Sequence, residues 1–183
     1  MIKNRRFCTG TESKPLKIYL VRHAIAEPLA TGKYKTDAER PLTEAGFAQA
    51  QMVANALKAV GARLKLVISS PYLRAEQTAK VFADNFNCEL IKSAKLSPGV
   101  AVKSFIESLE AYQSKDELML VGHEPDMGEL VSVLVGGSPV FRMPFRKSAV
   151  CLVNCEEVPP ALSGNLEWIL TPDLISGLVQ ASV

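Results

Sequence analysis

Histidine is nearly absent from this chain: His23 and His123 are the only two in 183 residues. Cysteine is scarce too. Cys8, Cys88, Cys151 and Cys155 lack the paired spacing of a metal site, so with two histidines in hand a zinc centre is not expected. Cys151 and Cys155 lie four residues apart in a strand-like stretch, about 13 Å by the strand rise, which is too far for a disulfide. Free thiols in a reducing cytoplasm are the simplest reading. No apolar run approaches the roughly 18 residues of a membrane span. The first residues up to Pro15 are basic but not apolar, so they read as a polar, mobile extension over 1–16 rather than a secretory signal. Charge is balanced as well. With 21 basic and 19 acidic residues, the net charge of +2 gives no pull toward nucleic acid or an anionic membrane. What remains, residues 17–183, is the length of one ordinary domain.

What is present is a set of apolar runs that end in polar chemistry. Lys17-Ile18-Tyr19-Leu20-Val21 leads into Arg22-His23, and Leu118-Met119-Leu120-Val121 leads into Gly122-His123. A polar residue just past a buried parallel strand emerges at the sheet edge where α/β folds bind ligands, so two histidines 100 residues apart are expected to meet there. Leu64–Ile68 reads as a third such strand. Ser69 and Ser70 are candidate caps, Pro71 suits a first helical turn, and Arg74 follows in that turn. Arginine opposes the helix dipole, but a guanidinium beside orphan N–H groups is a place to hold a phosphate; the plainer alternative pairs Arg74 with Glu76.

Strands are expected at about 17–21, 65–69, 88–92, 117–121, 149–153 and 166–171. Helical stripes run through Ala48–Val60 with Thr43 as N-cap, Ala75–Phe86, Val102–Leu109 and Met127–Leu134. The alternation predicts a three-layer α/β/α domain with a largely parallel central sheet. Residues 136–144 and 159–164, rich in glycine and proline, read as loops.

Arg22-His23, the run Arg40-Pro41-Leu42-Thr43-Glu44-Ala45-Gly46, Ser69-Ser70-Pro71 with Arg74-Ala75 and Gln77-Thr78-Ala79, and Gly122-His123 resemble the histidine phosphatase superfamily, whose fold is phosphoglycerate mutase-like. The match runs in order from about Lys17 to Thr171. The small size, Arg40–Thr43 and the late Leu166–Pro172 are most similar to its SixA-type phosphohistidine phosphatases. Ala24 stands where many members have glycine. Many members also carry an acidic proton donor between the second arginine and the second histidine, whereas Ser93–Gly99 here has no carboxylate; Glu124 and Asp126 are the nominees instead.

The resemblance implies that His23 is a nucleophile forming a phosphohistidine intermediate, with Arg22, Arg74 and His123 as donors around the transferring group. Neither metal nor cofactor is implied. Two guanidinium groups should lower the pKa of His23, and Gly122 should admit close backbone approach at the pocket wall. Arg74 and His123 are expected at the mouth of the site, where replacing them would hardly disturb folding. A site without an acid suits imidazole as leaving group better than an alkoxide. The expected partner is a phosphorylated histidine-containing signalling protein. The alternatives are a small phosphorylated metabolite, or binding of phosphate without turnover.

Overall fold

A computed structural model describes residues 15–156 and 164–181. The expected extension falls mostly outside these residues, as does Cys8. In chain order the elements are β1 (Leu16–Arg22), α1 (Glu44–Ala59), β2 (Leu66–Ser69), α2 (Leu73–Phe86), β3 (Glu89–Lys92), α3 (Val102–Ile106), β4 (Glu117–Gly122), α4 (Asp126–Gly136), β5 (Val150–Cys155), β6 (Gly164–Leu170) and α5 (Pro172–Ala181). They form one sheet in the order β3-β2-β4-β1-β5-β6. The pairs β3-β2, β2-β4 and β4-β1 are parallel, and β5 runs against both β1 and β6. The sheet is therefore largely parallel, with β5 alone reversed.

Side chains alternate across a strand, and here each set meets its own helical layer. Ile18, Leu20, Leu66, Ile68, Leu118 and Leu120 pack with Phe105, Met127, Leu130 and Leu134 of α3 and α4. Tyr19, Val21, Val67, Met119 and Val121 pack with Val53, Leu57, Ala79 and Phe82 of α1 and α2, and with Ile175 of α5. Both faces of the central strands are covered, which is why they read as unbroken apolar runs rather than alternating ones.

Thr43 caps α1 as expected, accepting the Gly46 N–H at 3.0 Å. Gly46 answers to the loop after His23: a Cβ there would lie 2.0 Å from the Ile25 carbonyl oxygen, so only glycine lets α1 approach. That carbonyl also accepts the Thr43 N–H at 3.0 Å. The Pro41–Gly46 motif thus pins the segment that follows the histidine.

Three readings are corrected. Pro71 is not in a helical turn; α2 begins at Leu73 with Tyr72 as N-cap and no side-chain cap. Ser70 Oγ accepts the Tyr72 N–H at 3.3 Å, but it is engaged elsewhere, as described below. Residues 172–181, read as no element from sequence, form α5. Gly164 opens β6 instead of closing a loop.

Candidate active site

The carboxyl ends of β2, β4 and β1, three neighbours in the sheet, deliver the predicted residues to one place. Arg22 is in register with Gly122, and the His23 N–H donates to the Gly122 carbonyl at 3.0 Å. The two imidazoles follow side by side, ring centroids 5.1 Å apart. Arg74 lies between them. Its Nε donates to His23 Nε2 at 3.1 Å and its second terminal nitrogen to His123 Nδ1 at 3.3 Å. Arg22, Arg74, His23 and His123 are thus brought together, as expected.

The hydrogen bonds fix both tautomers. His23 Nδ1 lies 2.8 Å from the Ala24 carbonyl, which can only accept, so Nδ1 carries the proton and Nε2 keeps its lone pair. His123 is the opposite case. Its Nδ1 accepts from Arg74, so Nε2–H donates to Ser70 Oγ at 2.8 Å. Thr78 Oγ1 accepts the Ala24 N–H at 3.0 Å and donates to the Arg74 carbonyl at 2.7 Å, and Gln77 Oε1 accepts the Leu42 N–H at 2.7 Å. The Gln77-Thr78 pair is the brace that joins α2 to the chain after β1.

Glu76, the alternative partner, does not hold Arg74; it pairs with Lys92. Asp37 takes that place, in a short turn of 3-10 helix (Asp37–Glu39) that sequence reading left unassigned. Arg74 donates to the Asp37 carbonyl at 2.6 Å and to Oδ2 at 2.7 Å, while Arg40 pairs with Oδ1 at 2.7 Å. Burial works against ionising Asp37, but the guanidinium groups of Arg74 and Arg40 outweigh it and hold the carboxyl below the usual range. A loop Asp-x-x-Arg spacing was the one available signal for this pair. Lys147 was also missed; it stands within the field of Arg22, Arg40 and Arg74 and adds its own charge to that felt by His23.

His23 titrates at about 4 and His123 at about 3. Burial is the leading cause for both. The arginines lower both as expected, although at His23 the Ala24 carbonyl comes next after burial and opposes it. Arg74 and His123 are also not at the mouth: they are 4% and 3% exposed. The rings are neutral in the folded chain, whereas the unfolded chain takes up protons below pH 6.5, its ordinary value. Their stabilising share is therefore complete above pH 6.5 and is lost as pH falls toward 4, at about 1.4 kcal/mol per pH unit for each histidine. Urea unfolding from pH 7.5 to 4 should show this slope, and His123→Phe should flatten it. An equal slope in the variant would contradict the burial of a neutral ring.

Gly122 serves a different purpose from the one expected. A Cβ there would meet the Met127 Cε at 2.6 Å, so the glycine makes room for a side chain of α4, not for backbone. Of the two nominated acids, Asp126 accepts the Gly99 N–H at 3.1 Å. Glu124 accepts the N–H groups of Phe145 and Gly128 and feels Arg22, yet its Oε2 is buried without a partner among the described residues. Burial raises the pKa of both. Glu124 also borders a groove of about 640 Å³ lined by Pro125, Phe141, Arg142, Met143 and Pro144. Among the described residues no group of three His, Cys, Asp or Glu side chains could hold a metal ion, and no helix is long and apolar enough to cross a membrane.

Comparison with known proteins agrees with this geometry. The profile of the histidine phosphatase superfamily, branch 1, matches residues 18–97. An uncharacterized protein of Picosynechococcus is 31% identical, covering 74% of this chain and 82% of its own. The phosphohistidine phosphatase SixA of Escherichia coli is 29% identical over 86% of this chain and 94% of its own. A solved structure of the protein histidine phosphatase SixA, complexed with tungstate, superposes with a TM-score of 0.76 at 26% identity, covering 86% of this chain and 98% of that one. Two histidines on adjacent strands with an arginine between them, set in this sheet, together with a likeness that spans 82%, 94% and 98% of those relatives, lead to one assignment: the chain belongs to the histidine phosphatase superfamily and is a phosphatase of the SixA type.

Proposed function

We propose that the protein removes the phosphoryl group from a phosphohistidine of a signalling protein, by way of a phosphohistidine on His23 and without a metal ion. The observation that carries this is the tautomer of His23. With Nδ1–H held by the Ala24 carbonyl, the Nε2 lone pair faces a cluster of cations, where a phosphoryl group would lie. In the first step Nε2 attacks phosphorus, the substrate P–N bond breaks, and the departing imidazole keeps the electron pair and takes a proton from solvent. In the second, water attacks the phosphorus on His23 and inorganic phosphate leaves. Arg22 and Arg74 offset the charge that spreads over the equatorial oxygens, and His123, accepting from Arg74, helps to hold that guanidinium in place. Tungstate, a phosphate-like oxyanion, is what the SixA relative holds.

The leaving group argues for the substrate. Imidazole departs readily, whereas an alkoxide needs a donor worth about 10²- to 10⁴-fold. Ser93–Gly99 supplies none. A protein presenting phosphohistidine to His23 would meet the groove beside Glu124. Three unpaired cysteines, with Cys151 and Cys155 pushed by burial up to about 12 and about 11, support a cytoplasmic setting.

A buried, unpaired carboxyl oxygen on Glu124 favours one rival, hydrolysis of a small phosphate ester with Glu124 as acid. The deciding measurement compares a phosphohistidine peptide with an aliphatic phosphate in excess chelator, for wild type, Glu124→Gln and Asp126→Asn. We expect the peptide to be the better substrate, chelator to have no effect, and both variants to hydrolyse the peptide within a few-fold of wild type. Efficient turnover of the aliphatic ester with a steep dependence on Glu124 would establish the rival. Phosphate binding with no turnover of either would leave a binding module.

A further inference from the structure

The turn Arg146–Ala149 is fastened to the catalytic end of β1 at several points. The Ser148 N–H donates to the carbonyls of Arg22 and His23 at 3.0 and 3.4 Å, and Arg22 in turn donates to the Phe145 carbonyl at 2.7 Å. Ser148 sits at φ +57°, a left-handed conformation that a serine adopts only when its surroundings impose it. Its hydroxyl is buried and unpaired among the described residues, as is Arg22 Nε. Lys147 is the apex of this strained turn. It is half-buried and lies within the electrostatic reach of Arg22, Arg40 and Arg74.

Each of those arginines has its acceptor. Arg22 has the Phe145 carbonyl, Arg40 has Asp37 and the Glu27 carbonyl, and Arg74 has Asp37. Lys147 has neither a hydrogen bond nor an ion pair among the described residues. A fourth cation held among three, with Asp37 as the carboxylate between them, is unfavourable until an anion arrives. We infer that Lys147 is a binding residue of this site, its ammonium reaching an anionic oxygen of the incoming phosphoryl group while the turn keeps it poised over His23. The inference rests on the phosphatase reading above.

The test is direct binding, which needs no turnover. Inorganic phosphate and tungstate are titrated calorimetrically into the full chain as wild type, Lys147→Met, Lys147→Arg and, as a neighbour control, Arg146→Met. Arg146 is exposed and pairs with Asp173. Loss of a charge-assisted hydrogen bond should weaken both anions roughly ten- to a hundredfold in Lys147→Met. Lys147→Arg should recover most of the affinity and Arg146→Met should match wild type. The KM for a phosphohistidine peptide should rise with Lys147→Met by the same factor. Phosphate affinity unchanged in Lys147→Met, with the fold intact by thermal unfolding, would overturn the inference and leave the phosphatase reading standing. Wild type that bound neither anion would overturn it as well. Binding that depends on Lys147 in a chain that turns over no phosphohistidine would instead sink the substrate and keep the residue.

Discussion

Replacing His23 with alanine should abolish turnover, and wild type quenched early in the reaction should carry a phosphoryl group that acid removes and alkali does not. That lability is the mark of a P–N bond, and it separates His23 from any serine or carboxylate that could hold phosphate. The argument rests on geometry. His23 Nδ1 and His123 Nε2 carry protons, so only His23 Nε2 and His123 Nδ1 keep lone pairs; both accept from Arg74, and attack by His23 Nε2 requires Arg74 to turn its Nε–H to the arriving oxygens. With a pKa of about 4, the ring is neutral at pH 7 and ready to attack. A rapid-quench experiment with a good substrate that trapped no adduct, or an acid-stable one, would remove His23 from the role of nucleophile.

Arg74→Ala should cost about 10²- to 10³-fold in kcat, the usual loss on removing one fixed transition-state donor, and His123→Ala a similar amount. Arg74 deserves the larger value of the two. It touches both imidazoles and is itself held by the backbone and side chain of Asp37. Because both residues are buried, their removal should also lower the thermal midpoint, contrary to what a place at the mouth would imply. Arg74→Lys separates the two effects. It keeps the charge but not the fork that spans His23, His123 and Asp37, so a stability near wild type with activity still down by 10²-fold or so is the expected signature. Near wild-type kcat in Arg74→Ala would take the residue out of the phosphoryl clamp.

How much of this could be read from residues alone follows from where each residue sits. Strand ends were legible because β1, β2 and β4 are covered on both faces and so appear as unbroken apolar runs, with the polar chemistry starting abruptly where cover ends. Helix α1 was legible from its stripe and its threonine cap. Helix α5 was not, since Ile175 is buried while Leu174 and Leu178 stand exposed, which blurs the periodicity. Asp37 and Lys147 escaped for another reason. Both lie in irregular segments whose course is set by contacts with Arg74, Arg22 and His23, partners that are far away in sequence, and no local pattern encodes that. Pro71 misled because its usual place in a first helical turn lost to Ser70, whose hydroxyl is drawn to His123.

The sheet order carries a consequence for how this enzyme comes into being. β2 and β1 are not paired; β4, made some 50 residues after β2, is inserted between them. Until that strand slides into the gap, Arg22 and His23 stand at the open edge of a slot, and the second imidazole is absent. Much of the chain is therefore made while the nucleophile lacks the imidazole that stands beside it in the finished site. Completing the site then requires long-range pairing of β4 with both β1 and β2, contacts that carry a loop-closure cost.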